Sequence, residues 1–149
     1  MKKKVNIVGS HGLYASYGGW DQLVINLIEL KSQNIIYRVF NPKETPKVSR
    51  DEVTVTKLPL SGSGFQGLLF DSFSLLLSIS AHYVIMLGMK AMPVAMAIKL
   101  INLKLKLLVN IGGVEWERPQ FNRALKIYLN FCFFLVKVFA NKIIIDNNY

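Results

Sequence analysis

A chain of 149 residues fits one domain of the commonest size, roughly 100–150 residues. Hydrophobic residues make up 52% and charged residues 18%, against about 25% charged in average soluble domains, and that composition excludes intrinsic disorder. Eighteen Lys and Arg against nine Asp and Glu leave a net charge of +9, which favours phosphates, nucleic acid or an anionic membrane face without choosing among them.

The chain passes from Met1-Lys2-Lys3-Lys4 straight into Val5-Asn6-Ile7-Val8-Gly9. It lacks the apolar stretch of a secretory signal, so the expected location is the cytoplasm. Short β-branched runs then alternate with longer amphipathic stretches, the pattern of parallel strands joined by crossover helices. Strands are expected at 5–8, 35–40, 53–58, 83–87, 106–110 and 142–145, and helices at 19–31, 65–80, 92–103 and 121–139. The fold class is α/β, a Rossmann-like parallel sheet with helices on both faces, since near-continuous apolarity in the strands fits a sheet covered twice. The segment 41–51 carries Pro42 and Pro46 and reads as a surface connection, and Ser61-Gly62-Ser63-Gly64 as a turn before the second helix.

A mean hydropathy of +0.33 raises the question of a membrane span. The longest uninterrupted apolar run is only 131–136, and Asp71, His82, Lys90, Lys99, Lys104 and Lys106 cut the other rich regions, so buried elements are expected instead. Cys132, the single cysteine, sits within that run and reads as core.

Open α/β sheets bind ligands at the carboxyl ends of their strands, which directs attention to two loops. After the first strand comes Gly9-Ser10-His11-Gly12-Leu13-Tyr14-Ala15-Ser16-Tyr17-Gly18-Gly19, opening into Trp20-Asp21. Glycines let backbone approach a ligand, and the following helix offers its N-terminus to an anion; the alternative is a long turn that needs glycine merely to fold. The spacing is neither a dinucleotide fingerprint nor a P-loop, and the second strand ends in Asn41 without an acidic residue for a ribose. After the fifth strand comes Gly112-Gly113-Val114-Glu115-Trp116-Glu117-Arg118. Two carboxylates, an indole and a guanidinium beside a buried strand suit a sugar-binding loop, or else a surface ion pair of Glu115 with Arg118 under a packed Trp116. His11 and His82 have no partners at metal-ligand spacing, so no metal site is expected.

Tyr17-Gly18-Gly19-Trp20-Asp21 after a Gly-Ser-His-Gly turn, together with Gly113-Val114-Glu115-Trp116-Glu117-Arg118, resembles the N-terminal domain of bacterial rhamnosyltransferase-like enzymes of the GT-B glycosyltransferase class. Family positions differ at His11, Tyr14, Trp20-Asp21 and Gly112, while the aromatic-acidic character survives. The resemblance implies that residues 1–149 form one acceptor-side GT-B domain without the C-terminal donor-binding domain. It implies transfer from a dTDP- or UDP-sugar to a lipid-linked saccharide acceptor in capsule or other cell-surface polysaccharide synthesis, completed by a donor-binding subunit. Gly12, Tyr17, Gly18, Gly19, Asp21, Glu115, Trp116 and Arg118 would then bind substrate, the catalytic base stays unassigned, and the two loops should meet at one edge of the sheet. The alternatives are a non-catalytic scaffold recruiting such a subunit to the membrane, and a truncated inactive relic.

The last helix bears on the partners. Leu125, Ile127, Tyr128, Leu129, Phe131, Phe133, Phe134, Leu135, Val138 and Phe139 span an arc wider than one sheet can bury, so either neighbouring helices bury the rest or part of it meets a partner domain or, as a peripheral contact, the anionic inner face of the plasma membrane. Nucleic acid is not an expected partner, because no basic-aromatic interleaving marks an exposed strand.

Overall fold

A computed structural model of the chain describes residues 2–13, 18–30, 34–45, 53–112, 119 and 121–145. Six strands, β1 (Lys3–Val8), β2 (Ile35–Asn41), β3 (Val53–Lys57), β4 (Tyr83–Leu87), β5 (Lys106–Asn110) and β6 (Lys142–Ile144), form one sheet in the order β3-β2-β1-β4-β5-β6. Every pairing is parallel. Four helices connect or follow strands: α1 (Gly19–Glu29), α2 (Gly64–Leu76), α3 (Met92–Ile101) and α4 (Arg123–Phe139). This is the Rossmann-like α/β arrangement expected from the alternating pattern. Ile7 of β1 stands at the centre, in register with Val39 on one side and Ile85 on the other.

Alternation along the central strands sends neighbouring side chains into two separate cores. Ile7, Val39, Val53 and Leu87 meet Val24 and Ile28 of α1 on one face. Val8, Val84, Met86, Leu107 and Val109 meet Phe70 of α2, Ala95 and Ile98 of α3, and Leu129, Cys132 and Val136 of α4 on the other. Cys132 is fully buried there, and burial pushes its thiol pKa up, so it serves as core. Helices therefore cover both faces, one on the first and three on the second.

Polar side chains decide where several elements stop. The α4 helix begins two residues after its expected start because Asn122 caps it, its Oδ1 accepting from the Leu125 N–H at 2.8 Å. Asn102 ends α3: its side chain donates to the Ile79 carbonyl at 2.8 Å and accepts from the Lys104 N–H at 3.2 Å. The α2 helix stops at Leu76 rather than near residue 80, because the chain tightens into turns with the Ser78 N–H on the Leu75 carbonyl and the Ala81 N–H on Ser78. Ser78 also receives a 2.8 Å hydrogen bond from Asn6, the buried amide of β1, and passes one on to the Ser74 carbonyl at 2.7 Å. Ser78, just past the end of α2, thus satisfies the buried amide that β1 turns toward it.

Among the described residues, no helix is long and apolar enough to cross a membrane.

The tightest backbone approach lies at the end of β1. Gly9 has φ +93°, and a Cβ there would stand 2.0 Å from the carbonyl oxygen of Leu87 at the end of β4. Gly18, by contrast, has extended backbone and open space where a Cβ would go. Gly9→Ala should therefore cost more than about 3 kcal/mol in urea unfolding, and Gly18→Ala less than about 1 kcal/mol. Equal costs would show that the turn at Gly9 relaxes freely.

Candidate functional site

The chain leaves β1 toward β2 in one direction and reaches β4 from β3 in the other, so the order reverses between β1 and β4. In open parallel sheets such a reversal opens a crevice at the carboxyl ends of the strands. Here it is a cleft of about 950 Å³, floored by Gly9, Leu87, Gly88 and Gly112 at the ends of β1, β4 and β5 and walled by the starts of α1 and α2.

Two clasps hold the glycine loop over this crevice. Asp21, in the first turn of α1, is 2% exposed, and its Oδ1 accepts from the His11 N–H at 2.9 Å. The Nδ1 of His11 lies 3.9 Å from its other oxygen. An acidic side chain there also complements the positive end of the helix. On the far side, Asn41 at the end of β2 accepts from the Leu13 N–H at 2.8 Å, and the Thr45 hydroxyl donates to the His11 carbonyl at 2.6 Å. Gly12 is pinned between these groups with φ +103°, a Cβ there falling 2.7 Å from Asn41 Oδ1. The position that carries a ribose-binding acid in dinucleotide-binding domains is thus occupied by an amide that ties down the loop.

Gly18 and Gly19 open α1 directly onto the cleft. Neither has a neighbour within 4 Å of where a Cβ would stand, and the extended backbone of Gly18 suits any residue, so neither packing nor φ calls for glycine. What their bare backbone does is leave the first-turn N–H groups at Gly19 and Trp20, which lack partners within the helix, approachable. Trp20 lies over the ends of β4 and β5. A Cβ on Gly112 would be 2.7 Å from its Cζ2, and one on Gly88 3.4 Å from its Cη2, so glycines make room for the indole. The Gly112 N–H is held by Asn110 Oδ1 at 2.9 Å, and the Gly88 N–H by the Asn110 carbonyl at 2.8 Å.

Of the residues singled out from the sequence, Gly18, Gly19 and Asp21 come together at the cleft, while Gly12 packs against Asn41. Tyr17, Glu115, Trp116 and Arg118 lie outside the described residues. Gly112, where the second loop departs, lies beneath Trp20 of the first.

Sequence reasoning missed two cleft residues, Asp71 and Lys90, having read them only as interruptions of apolar runs. Asp71 projects from the middle of α2. Burial pushes its carboxyl pKa up to about 7, against a smaller opposing pull from Lys90. Lys90 sits in the turn between β4 and α3, whose backbone is fixed by the Tyr128 hydroxyl of α4 donating to the Lys90 carbonyl at 2.6 Å. Burial in turn raises the Tyr128 pKa to about 12, so that hydroxyl stays a donor at neutral pH. A lone acid in an apolar helical stretch of a chain with few charges was the available signal. Among the described residues, no group of three or more His, Cys, Asp or Glu could hold a metal ion.

Comparison with protein-family models and with curated proteins gives no match to this chain.

Because the folded-state pKa of Asp71 is raised from 3.8 to about 7, the unfolded chain loses this proton first, and stability falls as pH rises through that interval. Asp71→Asn should remove the penalty, raising Tm by on the order of 5 °C at pH 8 and little at pH 4. A gain of equal size at both pH values would contradict the assignment.

Proposed function

We propose that this domain is the acceptor-side half of a sugar-nucleotide-dependent glycosyltransferase, rhamnosyltransferase-like, acting in cell-surface polysaccharide synthesis. The observation that carries the reading is the packing of Trp20 over Gly112. The two motifs on which the resemblance rests are separated by roughly ninety residues of sequence, and this contact brings Trp20 of the first onto Gly112, the residue from which the second departs, at a switch-point cleft. The same cleft offers the chemistry the reading needs: first-turn N–H groups and Lys90 for the diphosphate of a dTDP- or UDP-sugar, and a half-buried indole beside polar side chains for a saccharide. Glu115, Trp116 and Arg118 complete the saccharide side in this reading, and a second Rossmann-like unit grips the nucleotide.

The chain by itself should show no sugar transfer from UDP- or dTDP-sugars, and transfer to a lipid-linked saccharide should appear when a donor-binding unit is supplied. Gly19→Val, which would fill the open approach to the helix N-terminus, should lower UDP-glucose affinity about tenfold while moving stability by no more than about 0.5 kcal/mol. Robust transfer by the chain unaided, or unchanged affinity in the variant, would defeat the assignment.

A second reading, recruitment of a transferase subunit to the membrane, draws on α4. Ile127, Phe131, Phe134 and Val138 form an exposed apolar stripe on a chain of net charge +9. This reading expects stronger association with anionic than with neutral liposomes at low salt, weakening as the Debye length shrinks to about 3 Å at 1 M. Equal binding to both at low salt would exclude it.

A further inference from the structure

Asp71 is an ionisable group of the cleft to which neither the loop clasps nor the transferase reading assigns a task. It lines the same space as the first turn of α1 and Lys90. Asp71 is half-buried on the cleft wall, where crowding by protein atoms disfavours its charged form, and among the described residues Lys90 is the one charge that favours its ionisation and no hydrogen bond holds it. Among the described residues, the other titratable side chains lining the cleft are His11, from the loop after β1, and Asp21, from α1, and they face each other. Among the described residues, α3 and β1, which pack on α2, bring no further charge into the cleft.

A ligand anion entering here would act on Asp71 in one direction only. It would draw off the influence of Lys90 and add a negative charge nearby, and both effects disfavour a carboxylate. A protonated carboxyl, by contrast, presents an O–H donor suited to a phosphate oxygen. We propose that Asp71 takes up a proton from solvent when a diphosphate-bearing ligand occupies the cleft between the α1 N-terminus and Lys90, and that the resulting acid donates a hydrogen bond to a phosphate oxygen. No bond of the ligand breaks in this step, and the proton returns to solvent on release. The inference deepens the transferase reading and rests on its phosphate site. It turns an acid that would repel the ligand into part of its grip, and it makes binding weaken as pH rises through neutrality.

The test follows the Asp71 carboxyl carbon by NMR in the 13C-labelled 149-residue chain from pH 5 to 9, with and without UDP-glucose. This probe is a diphosphate diester, so it lacks the second ionisation near about 6 that a phosphate monoester would contribute. The free chain should titrate near neutrality, and saturating UDP-glucose should raise the midpoint by about one unit. The affinity of the wild-type chain should then fall about fourfold from pH 6.5 to 8. Asp71→Asn keeps an N–H donor without a titrating proton, and its affinity should stay level over the same range. If UDP-glucose perturbs the Gly19 and Trp20 amides but leaves the Asp71 midpoint in place, the proton linkage is wrong and the phosphate site stands. If it perturbs neither, the phosphate site falls as well. A free-chain midpoint below about pH 5, or a pH dependence retained in Asp71→Asn, would overturn the inference by itself.

Discussion

The cleft depends on one contact, the backbone of Gly9 lying against the carbonyl of Leu87 where β1 and β4 end together. A Cβ at Gly9 would come within 2.0 Å of that oxygen, so the loop can turn across the head of β4 only because nothing projects from its first residue. From that bend the rest follows. The loop crosses toward β2, where Asn41 and Thr45 secure it, and returns to α1, where Asp21 ties its own helix start to His11. Trp20 is thereby carried across the crevice onto the glycines after β4 and β5.

Buried polar residues carry most of this organisation, and each has a specific partner. Asp21, Asn41, Asn110, Asn6 and Ser78 all lie within the protein; Asp21, Asn41, Asn6 and Ser78 tie together segments distant in sequence, and Asn110 holds the Gly112 N–H where the chain leaves β5. Apolar packing sets which faces meet, whereas these hydrogen bonds set where the strands end and how the loops leave them. The cleft walls are therefore fixed by the same bonds that satisfy the interior.

The sequence made the strands and helices legible because each is bounded by a change of period. All six strands and four helices lie where the pattern places them, and the differences fall at ends. Strand β1 starts at Lys3, two residues early, because its backbone pairs with Ile35 while its lysine side chains stay in solvent, where hydropathy gives no cue. The α2 helix ends early because Ser78 turns to Asn6, a long-range contact that periodicity cannot register. At the site, the glycine loop announced itself by composition, but the separate duties of its glycines did not. Gly9 and Gly12 are required by close packing, whereas Gly18 and Gly19 face open space. Asp71 was invisible as a cleft residue because its neighbours in sequence are apolar, and its place depends on which side of α2 turns toward β1.

The outer surface of the three-helix face has a consequence for how the molecule behaves in concentrated solution. Phe65, Phe73 and Leu76 of α2 and Phe131 and Phe134 of α4 lie exposed, and a net charge of +9 sets mutual repulsion between copies against the meeting of such surfaces. Dilute buffer, with a Debye length of about 30 Å at 0.01 M, preserves that repulsion. Strongly salting anions such as sulfate remove it and strengthen apolar attraction together. Colloidal stability therefore runs opposite to the usual benefit of ionic strength for basic proteins: salt that would free the molecule from polyanions also drives its copies toward one another.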